Sequence, residues 1–71
     1  MASPNPTQSA TTISGGRWQK GERVVVVNMQ GFVMMETVAE DDSLVHLDLA
    51  SLPQGIYMVK IANEVVKVIK K

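Results

Sequence analysis

Leu47-Asp48-Leu49-Ala50-Ser51-Leu52-Pro53-Gln54-Gly55-Ile56-Tyr57-Met58-Val59-Lys60-Ile61 decides the fold. Ahead of the break, Val45, Leu47 and Leu49 fall on one side of an extended chain and Leu44, His46 and Asp48 on the other, the two-residue period of a half-buried strand. Pro53 and Gly55 interrupt that period. Proline fixes its own φ and lacks an N–H, and glycine accepts positive φ, so Leu52-Pro53-Gln54-Gly55 reads as a turn. Extended structure resumes at Ile56, with Tyr57, Val59 and Ile61 on one face and Ile56, Met58 and Lys60 on the other. The stretch is therefore expected to form a central hairpin.

Working outward, Glu22 to Met29 contains four consecutive valines, Val24 to Val27, which disfavour helix and suit a sheet, buried on one face or on both. Met29-Gln30-Gly31-Phe32 turns the chain, with Gly31 at the positive-φ position, into a second strand over Val33 to Val38, and the two make a hairpin. After the central stretch, Ala62-Asn63-Glu64 is a short polar turn into a strand over Val65 to Lys71. Lys67, Lys70 and Lys71 are what an edge strand uses to discourage stray pairing and to stay soluble. Near the start, Thr11, Thr12 and Ile13 predict a short first strand closed by Ser14-Gly15-Gly16. Residues 1–10, polar and biased toward extended geometry by Pro4 and Pro6, read as a flexible entry segment to a domain over 11–71. Six or seven short strands with frequent turns and no helical period predict an all-β fold, a small antiparallel β-sandwich.

A chain of 71 residues forms one domain and buries only about 60% of the surface its unfolded form exposes. It has no cysteine, so neither disulfides nor thiolate metal sites reinforce it. Seven basic and seven acidic residues cancel, which removes the broad attraction that non-specific nucleic-acid binding depends on. No apolar run approaches the roughly 18 residues of a membrane-spanning helix, and the first residues have neither the basic nor the apolar region of a signal peptide.

Catalytic chemistry finds little to work with. The one histidine, His46, points away from the core together with Asp48, which favours a surface cross-strand contact over catalysis. Asp48 and Glu36 are carboxylates with nothing in the sequence to bring them together as acid and base. Phosphate loops and zinc spacings are absent. Glu40-Asp41-Asp42 offers oxygen ligands of the kind calcium takes, but the run is contiguous and glycine-free, unlike the alternating ligands of a calcium loop. Trp18 reads as a lid over one end of the core, with ligand stacking as its alternative. Neither an enzyme, a metal site nor a cofactor is predicted.

Four segments in order carry a resemblance: Ser3-Pro4-Asn5-Pro6-Thr7, Val26-Val27-Asn28-Met29-Gln30-Gly31, the Leu47 to Ile61 stretch, and Val66-Lys67-Val68-Ile69-Lys70-Lys71. Together they resemble the C-terminal sorting domains (type A) of type IX secretion cargo in Bacteroidetes, and the Leu-Pro-x-Gly-Ile-Tyr segment is their most specific part. The resemblance implies an immunoglobulin-like sandwich that serves as an address: its passenger enters the periplasm, crosses the outer membrane, and is freed by cleavage at the cell surface or secreted. Pro4, Asn5, Pro6, Gly31, Leu52, Pro53, Gly55, Ile56, Tyr57, Lys60, Val66, Val68, Lys70 and Lys71 are the positions that match the signal. Its implied partners are an N-terminal passenger, the type IX translocon, an outer-membrane shuttle component and a sortase-like peptidase, without nucleic acid or stable membrane insertion. Cleavage is expected in the linker, at or upstream of Ser3 to Pro6, with the passenger then joined to anionic lipopolysaccharide. Physically, Val65 to Lys71 would be offered as an edge strand with Lys70 and Lys71 as a cationic tip, and isolated copies could pair through that edge as homodimers. The stretch from Ser14 to Glu22, short and holding Trp18, departs from the family pattern. A structural or carbohydrate-binding module of a surface protein is the alternative, although a sugar platform asks for several aromatics and only Trp18, Phe32 and Tyr57 are present.

Overall fold

The structure, a computed structural model, describes residues 2–3 and 9–71; Pro4, Asn5 and Pro6 lie outside the described residues. The strands are β1 (Ala2–Ser3), β2 (Ala10–Ser14), β3 (Arg23–Asn28), β4 (Val33–Val38), β5 (Leu44–Asp48), β6 (Gly55–Ile61) and β7 (Glu64–Lys70), and the described residues contain no helix. Two antiparallel sheets result, ordered β1-β2-β5 and β4-β3-β6-β7. The all-β sandwich expected from the strand periods is what forms, and its two facing sheets are consistent with an immunoglobulin-like arrangement.

Period-two patterning sets the core. Val45, Leu47 and Leu49 are buried while Leu44, His46 and Asp48 are exposed, and Tyr57, Val59 and Ile61 are buried in the same way. From the smaller sheet Ile13, Val45 and Leu47, and from the larger Val24, Val26, Val59, Ile61 and Val68, meet in one apolar cluster. Full burial of each such side chain contributes about 1.5–3 kcal/mol. Val27 is buried as well, on the opposite face from Val24 and Val26, and Val25 is half-buried, so the valine run is largely covered on both sides.

The central stretch departs from the hairpin expected of it. Both flanking strands form, but β5 pairs with β2 and β6 pairs with β3 and β7, so the segment 49–54 carries the chain from one sheet to the other. The reason lies in the burial pattern: each strand hides one face against a shared core, and two sheets facing each other satisfy both. Leu49 and Leu52 are buried in this crossing, the Leu49 amide donates to Ser9 O at 2.6 Å, and the Leu52 amide donates to Leu49 O at 3.0 Å.

The other hairpins match expectation. Between β3 and β4, Gly31 has φ +90°. Asn28 Oδ1 accepts from the amides of Gln30 at 2.9 Å and Phe32 at 3.0 Å, so one side chain fixes the turn. The β3–β4 register shifts between Val26 and Val27. His46 Nδ1 and Thr12 Oγ1, opposite each other in β5 and β2, share a hydrogen bond of 2.9 Å, the surface cross-strand contact expected of this histidine.

Between β6 and β7, Ile61 pairs with Glu64 across a two-residue turn in which Ala62 has φ +54°. An L-residue in the left-handed region costs about 1–2 kcal/mol, whereas glycine occupies it freely. Ala62→Gly is expected to raise stability by about 0.5–1 kcal/mol net of glycine's extra unfolded-state freedom, read as a higher denaturant midpoint with an unchanged slope.

Trp18 is buried and closes one end of the sandwich, the lid expected from its sequence position. Its Nε1 donates to Asp41 O at 2.8 Å. The Asp41 carboxylate in turn accepts from Ser43 Oγ at 2.6 Å and from the Ser43 amide at 2.8 Å. The acidic connector thus supplies a carbonyl to the lid and uses a carboxylate to hold its own turn. These bonds, that from the Ser43 hydroxyl first, hold the Asp41 carboxyl below its ordinary value of 3.8. A depressed carboxylate contributes stability that is complete above its unfolded pKa and is lost as pH falls through the folded one. A titration of the side-chain carboxyl carbon by NMR is expected to place Asp41 below the unfolded value, and Ser43→Ala to return it upward.

Candidate recognition site at the end of the last strand

Six of the fourteen positions that carry the resemblance meet where the sheet-crossing segment joins β7. In the β6–β7 ladder Gly55 lies opposite Lys70, Ile56 opposite Ile69 and Tyr57 opposite Val68. Tyr57 is buried, and its hydroxyl donates to Pro53 O at 2.6 Å. Lys70 turns inward: it is only 7% exposed, and its Nζ donates to Leu52 O at 2.8 Å. Two consecutive loop carbonyls are therefore held from opposite strands, one by a hydroxyl and one by an ammonium. Hydrogen bonds from a charged donor contribute about 1.5–3 kcal/mol and neutral ones about 1 kcal/mol.

This corrects the expectation that Lys70 forms an outward cationic tip. Val66, Val68 and Lys70 share one face of β7 because they are two residues apart, and that face is the core face. Lys71, past the end of the strand, is exposed. The structure thus brings Leu52, Pro53, Gly55, Tyr57, Val68 and Lys70 together. Ile56 and Lys60 are exposed on the outer face of β6, Lys60 toward its far end opposite Val65. Val66 packs against the core away from the loop.

Beside the loop, the turn carrying Gly31 forms the other wall of an open cleft of about 360 Å³, lined by Met29, Met34, Pro53, Ile56 and Tyr57 among others. Met29 and Phe32 are among the most exposed large apolar side chains of this end of the molecule. β7 is one of the two outer strands of its sheet among the described residues, β4 being the other, as predicted for Val65 to Lys71. Among the described residues no group of three or more His, Cys, Asp or Glu side chains is placed to hold a metal ion, and no helix is long and apolar enough to cross a membrane.

Two further residues carry structural roles. Asn28 stands just before a glycine turn, a position whose sequence signal is side-chain closure of that turn. Gly16 sits in the loop after β2, where a side chain would run into the Trp18 ring and the Glu64 carboxylate. The same carboxylate accepts from the Arg17 amide; no local signal links residue 17 to residue 64.

Comparison with known families gives a match to "Secretion system C-terminal sorting domain" over residues 2–71. No curated protein and no solved structure matches the chain. With nearly the whole chain matched, the Leu-Pro-x-Gly-Ile-Tyr loop clasped to the last strand and an all-β sandwich beneath it, the chain belongs to the family of type IX secretion C-terminal sorting domains.

Proposed function

We propose that this domain works as a removable export address, read along β7 and the loop clasped to it. Members of the family are sorting signals and not enzymes; they serve transit to the outer membrane, the cell surface or the medium. The observation that carries the finer proposal is that β7 is an outer strand of the larger sheet whose end is joined to the family's most specific segment through Lys70 and Tyr57. A strand edge recognises by main-chain hydrogen bonds, with alternate side chains supplying selectivity. In this scheme the translocon and its shuttle component bind the edge, a sortase-like peptidase cuts the entry segment at or upstream of Ser3 to Pro6, and the passenger is joined to anionic lipopolysaccharide. The remaining signal positions, Gly31, Ile56, Lys60, Val66 and Lys71, shape or flank that surface. The same edge would pair isolated copies into β-strand-mediated dimers.

A sugar-binding module is the less favoured alternative. Trp18 and Tyr57 are buried in the core, which leaves Phe32 as the exposed aromatic, too little for a stacking platform.

The test is a Sec-exported reporter fused ahead of residues 1–71, expressed in a type IX-competent bacterium and in its translocon-deficient mutant. Reporter at the surface or in the medium that depends on the translocon, with the domain clipped away, is the expected result. A folded fusion that stays intact in the periplasm of both strains would overturn the proposal.

A further inference from the structure

We infer that Lys70 is a positioning residue for this site: its ammonium, with the Tyr57 hydroxyl, locks the Leu52–Gly55 loop to the end of β7 and holds loop and strand end in one shape. The inference rests on the reading of the domain as an address recognised along β7, and adds to it which residue keeps that address in shape.

Three observations carry it. First, a lysine only 7% exposed has given up most of its hydration, which is costly for an ammonium. An apolar side chain of similar length would fill the same space without that cost. What lysine adds is a directed bond, here to Leu52 O at 2.8 Å. Second, Tyr57 makes the corresponding bond to the next carbonyl, Pro53 O, at 2.6 Å, so the loop is held at two successive peptide groups. Third, Lys70 is the last residue of β7 and lies opposite Gly55, the first residue of β6. Strand ends fray unless tied down, and this bond ties the end of the outer strand to the segment that crosses between the sheets. Lys20 is exposed in the loop between β2 and β3, outside the matched positions, and provides the contrast, a lysine with the same charge.

The experiment compares Lys70→Met, Tyr57→Phe and Lys20→Met in the 71-residue chain by amide hydrogen exchange, and in the reporter fusion by translocon-dependent export. Lys70→Met keeps the length of the side chain and removes the donor; Tyr57→Phe leaves every lysine in place and frees the same loop. Both are expected to lower protection of the Val68, Ile69 and Lys70-position amides by about tenfold or more, shift the Leu52 to Gly55 resonances, and cut export at least tenfold. Lys20→Met is expected to leave both readouts near the parent values. If Lys70→Met does not fold, Tyr57→Phe alone decides. Loss of export in Lys70→Met with unchanged exchange would mean that its charge is read directly, which overturns the positioning role and leaves the sorting role standing. Loosened exchange with full export overturns it too, as does full protection in both loop variants. A parent fusion that is never exported removes the sorting role, and this inference with it.

Discussion

Trp18→Ala is expected to cost about 3–5 kcal/mol, the range for removing a large aromatic from a core. A chain of this length holds on the order of 4–10 kcal/mol in total, at roughly 0.05–0.15 kcal/mol per residue, so the variant should be partly unfolded at room temperature. The ring is buried against the core cluster, and its Nε1 bond to Asp41 O ties the connector after β4 to the loop after β2. Removing the ring therefore opens a cavity and releases two loops together. Circular dichroism is the suitable probe, since Trp18 is the only tryptophan and its fluorescence disappears with it. A fall in melting temperature of more than about 12 °C is expected for a domain of this size; a fall of under about 4 °C would show that the ring is not a core element. Trp18→Phe separates the contributions, keeping most of the apolar surface and losing the N–H, and should cost about 1 kcal/mol.

Gly16→Ala is expected to destabilise by about 2–3 kcal/mol, the upper part of the range for overpacking. The added methyl would overlap both the Trp18 ring and the Glu64 carboxylate. The carboxylate ends a flexible side chain and can swing away at the cost of its bond from the Arg17 amide. The indole is buried and has no room to move without disturbing the lid. Coupling makes the expectation specific: in a Trp18→Ala background the same Gly16→Ala change should cost less than about 1 kcal/mol, because neighbours in contact do not act additively. Urea midpoints of the two single variants and the double variant measure that coupling. Additive effects would place the strain elsewhere.

Strand existence and the buried faces were legible because they depend on a two-residue period, which Val45 to Leu49 and Tyr57 to Ile61 follow without a break. Strand pairing was not. Whether Asp48 and Gly55 lie in one sheet or in two depends on which surfaces face the common core, and local sequence around Pro53 is equally consistent with a hairpin and with a crossing. The direction of Lys70 was readable in principle: it continues the Val66, Val68 alternation, and its charge argued for the surface against that period. A carbonyl acceptor at Leu52, far away in sequence, made the inward position tenable. At Gly16 the blocking Trp18 ring is two residues away, but only the folded lid lays it over the glycine, and the second neighbour, Glu64, comes from the other end of the chain; the entry segment around Pro4 to Pro6 lies outside the described residues.

The pairing of β2 with β5 sets Ala10 against Asp48 and Ser14 against Leu44, with the β3–β4 hairpin between them in sequence, whereas β6 and β7 are joined by a two-residue turn. Closing a long chain segment loses more entropy than closing a short one, and non-local strand pairing is slow. Assembly should therefore be ordered: the two hairpins of the larger sheet zip first, and the smaller sheet, waiting on its distant partners, closes last. The outer strand with its inward lysine belongs to the early part of that sequence of events. On the reading proposed above, the surface along the outer strand is built before the domain has finished folding.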